Sequence, residues 1–477
     1  MSGDAQKPNY GDFLSLEART RARSAIKQLR PYFEIPGMIS FGGGYPHPST
    51  WPVNGMTLSV PFAEKSVFVP GYETTSADKL HPLEEYVKPA AGEPLDPNLA
   101  VELQYGKTYG APHLVDWLTE HIKRTHNPPN DNWEVLNTAG NTDGFDGLLR
   151  TLFERGDSML VEEFAYPGSL VAAQTQGVSC VGVPMDGDGI LVPEMDKILS
   201  EWDEGKRKAR KPKAVLMVPT CSNPTGYTMP AARKRDLYAV ARKHNILIFE
   251  DDPYCFLQIR KYDDAGKLLP IEETFLSMDV DGRVLRLDSF SKIVAPGSRC
   301  GWLTGPREIV SAVMQRSEAS TQCPSGFTVS AIAAVVRAWG GHEGFEQRYL
   351  PHISKVYEER ARAMVSFFEK YLPKEAAEWP APSGGMFIWL RLRVENHPKR
   401  DELSPEDVAE RAFQKAVENK VLTVPSKFFK GEGLPNWTKE QEQKRIFLRI
   451  CYATPTIEQL ETGVQRLAEA LKAEWEL

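Results

Sequence analysis

Cysteine is scarce and shows no pairing pattern. The six residues Cys180, Cys221, Cys255, Cys300, Cys323 and Cys451 are scattered over 477 positions with no C-x-x-C pair. This excludes a disulfide scaffold and a structural zinc module, and points to free thiols in a reducing compartment. Long apolar runs are also lacking: no segment reaches the roughly 18 residues of a membrane span. Met1 to Tyr10 has no apolar signal region, and Glu474-Trp475-Glu476-Leu477 is no retention or peroxisomal address, so the cytoplasm is the expected compartment. Nor is there a basic excess, with 57 Lys and Arg against 64 Asp and Glu; nothing favours nucleic acid or an anionic membrane. The one dense basic run, Lys206 to Lys213, reads as a solvated loop. No internal repeat or low-complexity tract occurs.

What is there is an ordinary globular composition, 41% hydrophobic and 25% charged, in a chain longer than one core usually supports. Four regions are expected. Residues 1–45 read as an arm, with helical character over Leu16 to Leu29, a short strand at Met38 to Phe41 and a bend at Gly42-Gly43-Gly44-Tyr45. That bend is either a flexible turn or backbone approaching a ligand closely. Residues 46–102 are Pro-rich and aperiodic, a surface insertion or subunit contact. Residues 103–340 alternate short apolar strands with amphipathic helices, the pattern of a parallel sheet covered on both faces. A helix is expected from Leu103 onward with Leu114, Trp117, Leu118 and Ile122 on one face, and strands at Val135-Leu136, Met159 to Val161, Ala214 to Val218, Ile246 to Phe249 and Val284 to Leu287. Residues 341–477 turn to α+β: a helix over 346–368, a strand over 385–390, a helix over 405–419, a strand at Phe447 to Cys451 and a terminal helix from Thr456. The fold class is therefore α/β, a large domain with a mostly parallel sheet plus a smaller α+β domain.

Four strands end in polar sets: Glu162-Glu163, Ser222 to Gly226, Asp251-Asp252-Pro253-Tyr254 and Ser289-Phe290-Ser291-Lys292. In open α/β sheets that edge is where ligands bind. A lysine amine at such an edge can condense with an aldehyde cofactor and, once released, carry a proton. Lys292 is read either in this way, as the anchor for pyridoxal phosphate (PLP), or as a solvated surface lysine beside serines. The cofactor's pyridine nitrogen needs a carboxylate beside it, a role open to Asp251; Asp251 and Asp252 also suit a metal pair or a helix N-cap. Tyr254 is either a hydrogen-bond donor to the ring oxygen or a core tyrosine, and Asn223 either a second partner of that oxygen or part of a structural turn. Gly140-Asn141-Thr142-Asp143-Gly144 opens a helix and offers an anion site, which Ser289, Ser291 and Arg299 complement. Tyr166 stacks on a ring or packs in the core. Arg449, inside an apolar strand, requires a carboxylate from a substrate or from the protein.

Asn223-Pro-Thr-Gly, Asp251-x-x-Tyr254, Ser289-x-Ser-Lys292 with Arg299 seven residues later, and a late strand Arg449, in that order, resemble the PLP-dependent aminotransferases of the aspartate aminotransferase fold. Phe41 to Pro46, Glu250 to Gln258 and Ile446 to Tyr452 look closest to the fungal aromatic aminotransferases and their kynurenine and 2-aminoadipate relatives. The resemblance implies that an L-amino acid, aromatic by this likeness, gives its amino group through PLP to 2-oxoglutarate or another 2-oxo acid, with no metal. It implies that Lys292 forms the Schiff base, Asp251 pairs with the pyridine nitrogen, Tyr254 and Asn223 bind the ring oxygen, and Tyr166 stacks. It places the phosphate on Asn141, Thr142, Ser289, Ser291 and Arg299, with Tyr105 reaching it from a neighbouring subunit, and so implies a homodimer. Arg449, Asn223, Gly44, Tyr45 and Arg21 are expected at the substrate, although Arg21-Ala-Arg-Ser-Ala-Ile-Lys27 replaces the relatives' Pro-rich turns and a one-turn shift makes the arm residue Arg23. The rival readings are a PLP-dependent lyase on the same scaffold and a ligand sensor without turnover.

Overall fold

The computed structural model describes residues 7–20, 55–58, 60, 84–87, 99–264 and 269–477. Seven strands, β1 (Glu134–Thr138), β2 (Ser158–Glu162), β3 (Ser179–Val183), β4 (Ala214–Met217), β5 (Leu247–Asp251), β6 (Val284–Ser289) and β7 (Gly301–Gly305), form one sheet in the order β1-β7-β6-β5-β4-β2-β3. β6, β5, β4, β2 and β3 pair in parallel. β7 runs antiparallel to both β6 and β1. The expected α/β architecture is present, and each of the five expected strands of this region lies within or overlaps an observed one. β3 and β7 were not anticipated: each carries glycine and polar residues, and neither has an unbroken apolar run.

Because side chains alternate along a strand, each strand feeds two cores. Leu247 and Phe249 of β5 join Leu285 and Leu287 of β6 and Phe145 of the Asn141–Leu152 helix in one cluster, while Ile248 and Val284 belong to the other. By the same alternation Asp251 shares the side of Leu247 and Phe249. Glu250, Arg286 and Asp288 lie on the opposite side. There the fully buried Arg286 contacts Glu250 at 3.1 Å, Asp252 at 3.0 Å and Asp288 at 2.8 Å.

A second sheet of β8 (Ala377–Glu378), β9 (Phe387–Leu392), β10 (Val424–Pro425) and β11 (Phe447–Cys451) is antiparallel throughout, in the order β8-β9-β11-β10. It is accompanied by helices Leu350–Tyr371, Pro405–Glu418 and Ile457–Trp475, the last two started by capping boxes on Ser404 and Thr456. These satisfy N–H groups that a helix start leaves unpaired. Residues 429–432 tie this layer to the large sheet through backbone bonds of Ala165 to Phe429, Gly431 to Glu163, Gly182 to Glu432 and Glu432 to Cys180.

Several boundaries differ from expectation. The helix expected from Leu103 starts at Pro112, whose fixed φ suits a first helical turn. The aperiodic 46–102 stretch contains two paired antiparallel strands, Gly55–Leu58 and Glu84–Val87. The helix expected from 346 begins with a π-helical turn, Phe345–Tyr349, before Leu350. Of the arm helix, Leu16–Thr20 is described; its remainder, the strand at 38–41 and the glycine bend lie outside the described residues. No described helix is long and apolar enough to cross a membrane.

Removing Arg286 leaves three buried carboxyl groups without their cation. Arg286→Leu is expected to destabilise the protein by about 3–5 kcal/mol, read as a lowered urea midpoint; an unchanged midpoint contradicts this account of the network.

Candidate active site

The site is built where β5, β6 and β7 end. Asp251 closes β5 opposite Leu287 of β6 in the ladder, and Ser289 of β6 lies opposite Gly301 of β7, which faces Thr138 of β1. The Gly140 turn sits directly against this row. A Cβ on Gly301 would come within 3.0 Å of the Gly140 Cα, so only glycine allows the approach.

Asp251 is buried, and Asn141 Nδ2 donates to its Oδ1 at 2.7 Å while also donating to the Leu287 carbonyl at 3.0 Å. Among the described residues no cation pairs with Asp251. Burial pushes its carboxyl up to about 6, with Asp252 adding to the rise and Asn141 opposing it. Its neighbour Asp252 points the other way, onto Arg286 and the Thr220 hydroxyl at 3.0 Å. The two carboxylates are therefore not a metal pair. Asn141 was read as a phosphate ligand, whereas its side chain holds Asp251; its backbone N–H stands with that of Thr142 at the helix start.

Lys292 ends the 3-10 turn Phe290–Lys292 and is half-buried. Burial pulls its amine below the usual lysine range and Arg299 pulls the same way, with Cys451 opposing. Ser289 caps the turn, accepting from the Ser291 N–H at 2.9 Å and donating to the Ser291 hydroxyl at 2.7 Å. Arg299 sits in the left-handed region at φ 47 and donates to the Ala139 carbonyl at 3.0 Å. It lies so close to Gly140, itself at φ 96, that a Cβ there would fall 2.6 Å from the guanidinium. Lys292's turn, both serines, Arg299 and the helix start thus share one end of the sheet, and a helix N-terminus with a guanidinium beside it is suited to an anion.

Arg449 on β11 donates to Asn223 Oδ1 at 2.8 Å, and Asn223 Nδ2 donates to the Tyr254 hydroxyl at 3.2 Å. Tyr254 is buried, which raises its pKa well above the usual range; accepting from Asn223 leaves its own proton to donate elsewhere. The Arg449 guanidinium lies 4.7 Å from the Phe387 ring centroid and 5.1 Å from that of Phe429, with its Nε buried and unbonded. Among the described residues no carboxylate pairs with it, so the protein salt bridge considered from sequence is not formed. Tyr166, 41% exposed, immediately precedes the Pro167–Thr175 helix. Tyr105 is 66% exposed on the turn before the 112–125 helix. Gly44, Tyr45, Arg21 and Arg23 lie outside the described residues.

Two further groups take on roles that their place in the sequence does not show. Glu162, fully buried at the end of β2, accepts from the Val218 N–H at 3.0 Å and from the Tyr227 hydroxyl, and burial pushes its carboxyl up to about 8. It thereby braces the loop that carries Asn223. Cys451, two residues after Arg449 and hence on its side of β11, is near enough to act on Lys292; an isolated thiol carried no signal in the sequence. A cavity of about 740 Å³ lies behind the Asn223–Gly226 turn, lined by Phe164, Thr225, Phe387, Trp389 and Phe447 but by none of Lys292, Asp251 or Arg449.

Residues 100–467 match the family model described as aminotransferase class I and II. The chain belongs to that family. This aminotransferase is 33% identical to an aromatic amino acid aminotransferase of Schizosaccharomyces pombe, covering 98% of each chain. It is 31% identical to the mitochondrial kynurenine/alpha-aminoadipate aminotransferase of Mus musculus, covering 97% of this chain and 99% of the relative. The crystal structure of aminotransferase Aro8 from Candida albicans is similar at a TM-score of 0.88 and 32% identity, covering 99% and 100% of the two chains. Members of the family use PLP, and solved structures similar to this chain hold its aminated form or a phosphopyridoxyl amino acid. The residues present fit that cofactor: a buried carboxylate without a cation among the described residues, a half-buried lysine of lowered pKa, and a helix start with a guanidinium beside it, suited to an anion.

Because burial raises the Asp251 pKa from 3.8 to about 6, the stability this group confers is present below about pH 4 and lost as pH rises through about 6. In cofactor-free protein, Asp251→Asn is therefore expected to raise the melting temperature at pH 8 and to leave it unchanged at pH 4, worth up to about 3 kcal/mol. A destabilised variant at pH 8 contradicts this.

Proposed function

We propose that this aminotransferase takes an aromatic L-amino acid as donor and 2-oxoglutarate or another 2-oxo acid as acceptor. The observation that carries the reading is the Arg449–Asn223–Tyr254 chain flanked by Phe387 and Phe429: a guanidinium with no carboxylate partner among the described residues, beside aromatic rings. The likeness to fungal aromatic aminotransferases supports it. Bound PLP supplies an electron sink conjugated to the substrate's α-carbon. The Lys292 amine anchors the cofactor and, when freed, moves the proton from the substrate α-carbon; its lowered pKa favours the neutral base this requires. Asp251 holds the positive pyridine nitrogen, and the Tyr254 hydroxyl and the Asn223 amide orient the ring oxygen. The phosphate is held by Ser289, Ser291, Arg299 and the N–H groups of Asn141 and Thr142, while Tyr166 lies against the ring. Arg449 binds the carboxylate common to donor and acceptor, with Gly44, Tyr45 and Arg21 closing the substrate side.

We further infer a cytoplasmic homodimer in which Tyr105 of each chain completes its neighbour's phosphate site; the exposure of Tyr105 and the six free cysteines support this. Residues 103–340 and 341–477 are proposed as the two domains, with 1–45 an arm and 46–102 an insertion. A second reading, a kynurenine or 2-aminoadipate donor, is favoured by the mouse relative.

Assayed with 2-oxoglutarate, phenylalanine, tyrosine and tryptophan are expected to be better donors than aspartate; aspartate or 2-aminoadipate as sole good donor contradicts the aromatic reading. Arg449→Lys is expected to raise KM for donor and acceptor alike by about 100-fold, since a charge-assisted bidentate pair is lost, with the cofactor's absorbance band unchanged. A rise for one substrate alone contradicts the shared carboxylate site.

A further inference from the structure

Away from the cofactor site, the Pro112–Thr125 helix meets the turn Gly341–Gly344 and the π-helical residues Phe345–Tyr349. There His121, His342 and Glu346 bring ligand atoms within 4.8 Å of one another. We propose that these three residues bind a divalent transition metal of the zinc type, clipping the two segments together.

The ring geometry carries the argument. Trp117 is stacked on both imidazoles, 5.2 Å from His121 at 6° and 4.6 Å from His342 at 3°. Rings on opposite faces of one indole are separated by two van der Waals contacts, about 7 Å or more. The imidazoles are 6.2 Å apart with 4° between their planes. They therefore lie side by side on one face of Trp117, nearly coplanar. From there each directs Nδ1 at the same carboxylate oxygen, Glu346 Oε1, at 3.8 Å from His121 and 3.7 Å from His342. Ligand atoms around a tetrahedral zinc with bonds of about 2.0–2.1 Å are separated by about 3.3 Å. Each nitrogen is therefore about half an ångström farther from the carboxylate oxygen than in such a site, and the three ligand atoms, all within 4.8 Å of one another, close on the ion when it binds.

The donors suit that role. Both separations exceed a hydrogen bond, and His342 Nδ1 is buried without a partner. The Thr125 hydroxyl approaches His121 Nδ1 at 3.4 Å, a weak contact. Two imidazoles and one carboxylate favour zinc, cobalt or nickel over calcium or magnesium. The His342 and Glu346 side chains are 17% and 16% exposed, which leaves room for a solvent ligand. Arg124 opposes the cation: its guanidinium grips Glu346 with contacts of 2.7 and 2.9 Å. Oε1, the oxygen that faces the histidines, accepts from the Arg124 Nε alone and keeps a lone pair, so Arg124 weakens the site without blocking it.

The test is cobalt(II) titration of the metal-stripped holoenzyme, followed by visible absorption and by displacement with zinc. One equivalent per chain is expected. His342→Ala and Glu346→Gln should each weaken binding at least tenfold, and Arg124→Gln should tighten it about tenfold, with transaminase activity retained in all three. His121 is buried in the core, so the test does not depend on its replacement. Absence of stoichiometric binding, or binding unchanged by both His342→Ala and Glu346→Gln, overturns the proposal.

Discussion

The structure depends on a carboxylate, Asp251, that is buried without an ion-pair partner among the described residues. Asp251 ends a strand whose other residues are wholly apolar or face the Arg286 network, and its one side-chain partner among the hydrogen bonds described is the Asn141 amide. Burial of an uncompensated carboxylate is unfavourable. The neighbouring chain segments nonetheless hold it in place: β6 sets its height in the sheet, the 141–152 helix covers it, and Gly140 and Gly301 let the backbones close in. That counter-charge is what we propose a protonated pyridine nitrogen to supply. The contrast with Asp252 is instructive, because one step along the chain places that carboxylate beside Arg286, where it is neutralised by the protein itself.

The same logic extends to the opposite wall. Arg449 projects from the antiparallel layer with two aromatic rings and an amide around it but no carboxylate among the described residues. A half-buried cation on one wall and a buried anion on the other, neither paired with an opposite charge among the described residues, match the two different groups proposed for them, a substrate carboxylate and the cofactor's pyridine nitrogen. The strap at 429–432 fixes the two layers relative to one another through backbone bonds, so the distance between these walls is set by the fold and not by side chains alone.

Much of this was legible in the sequence because parallel strands are buried on both faces and so appear as apolar runs; β4 and the first three residues of β5 are of that kind, and in β6 only Arg286 interrupts the apolar stretch 284–287. β7 was hidden because its short Gly-Trp-Leu-Thr-Gly carries no periodic pattern, and the pair at 55–58 and 84–87 because it sits in a Pro-rich stretch. Among site residues, Lys292 and Asp251 stood out by their position at strand ends, and Arg449 by its place in an apolar strand. The task of Asn141 was not legible, since an amide after a glycine announces a helix start and says nothing about a carboxylate 110 residues away. Glu162 was seen as a polar strand ending, but its bond to Tyr227 arises from a contact 65 residues apart. His121, His342 and Glu346 come together through packing of distant segments, which no local spacing reveals.

The central claim is that Lys292 is the covalent attachment point of the cofactor at this sheet edge. Borohydride reduction of the purified holoenzyme, followed by peptide mass mapping, tests it most directly. The account predicts a phosphopyridoxyl group on the peptide containing Lys292 and on no other lysine. Label on a different lysine, or none on a protein that holds the cofactor, would contradict it.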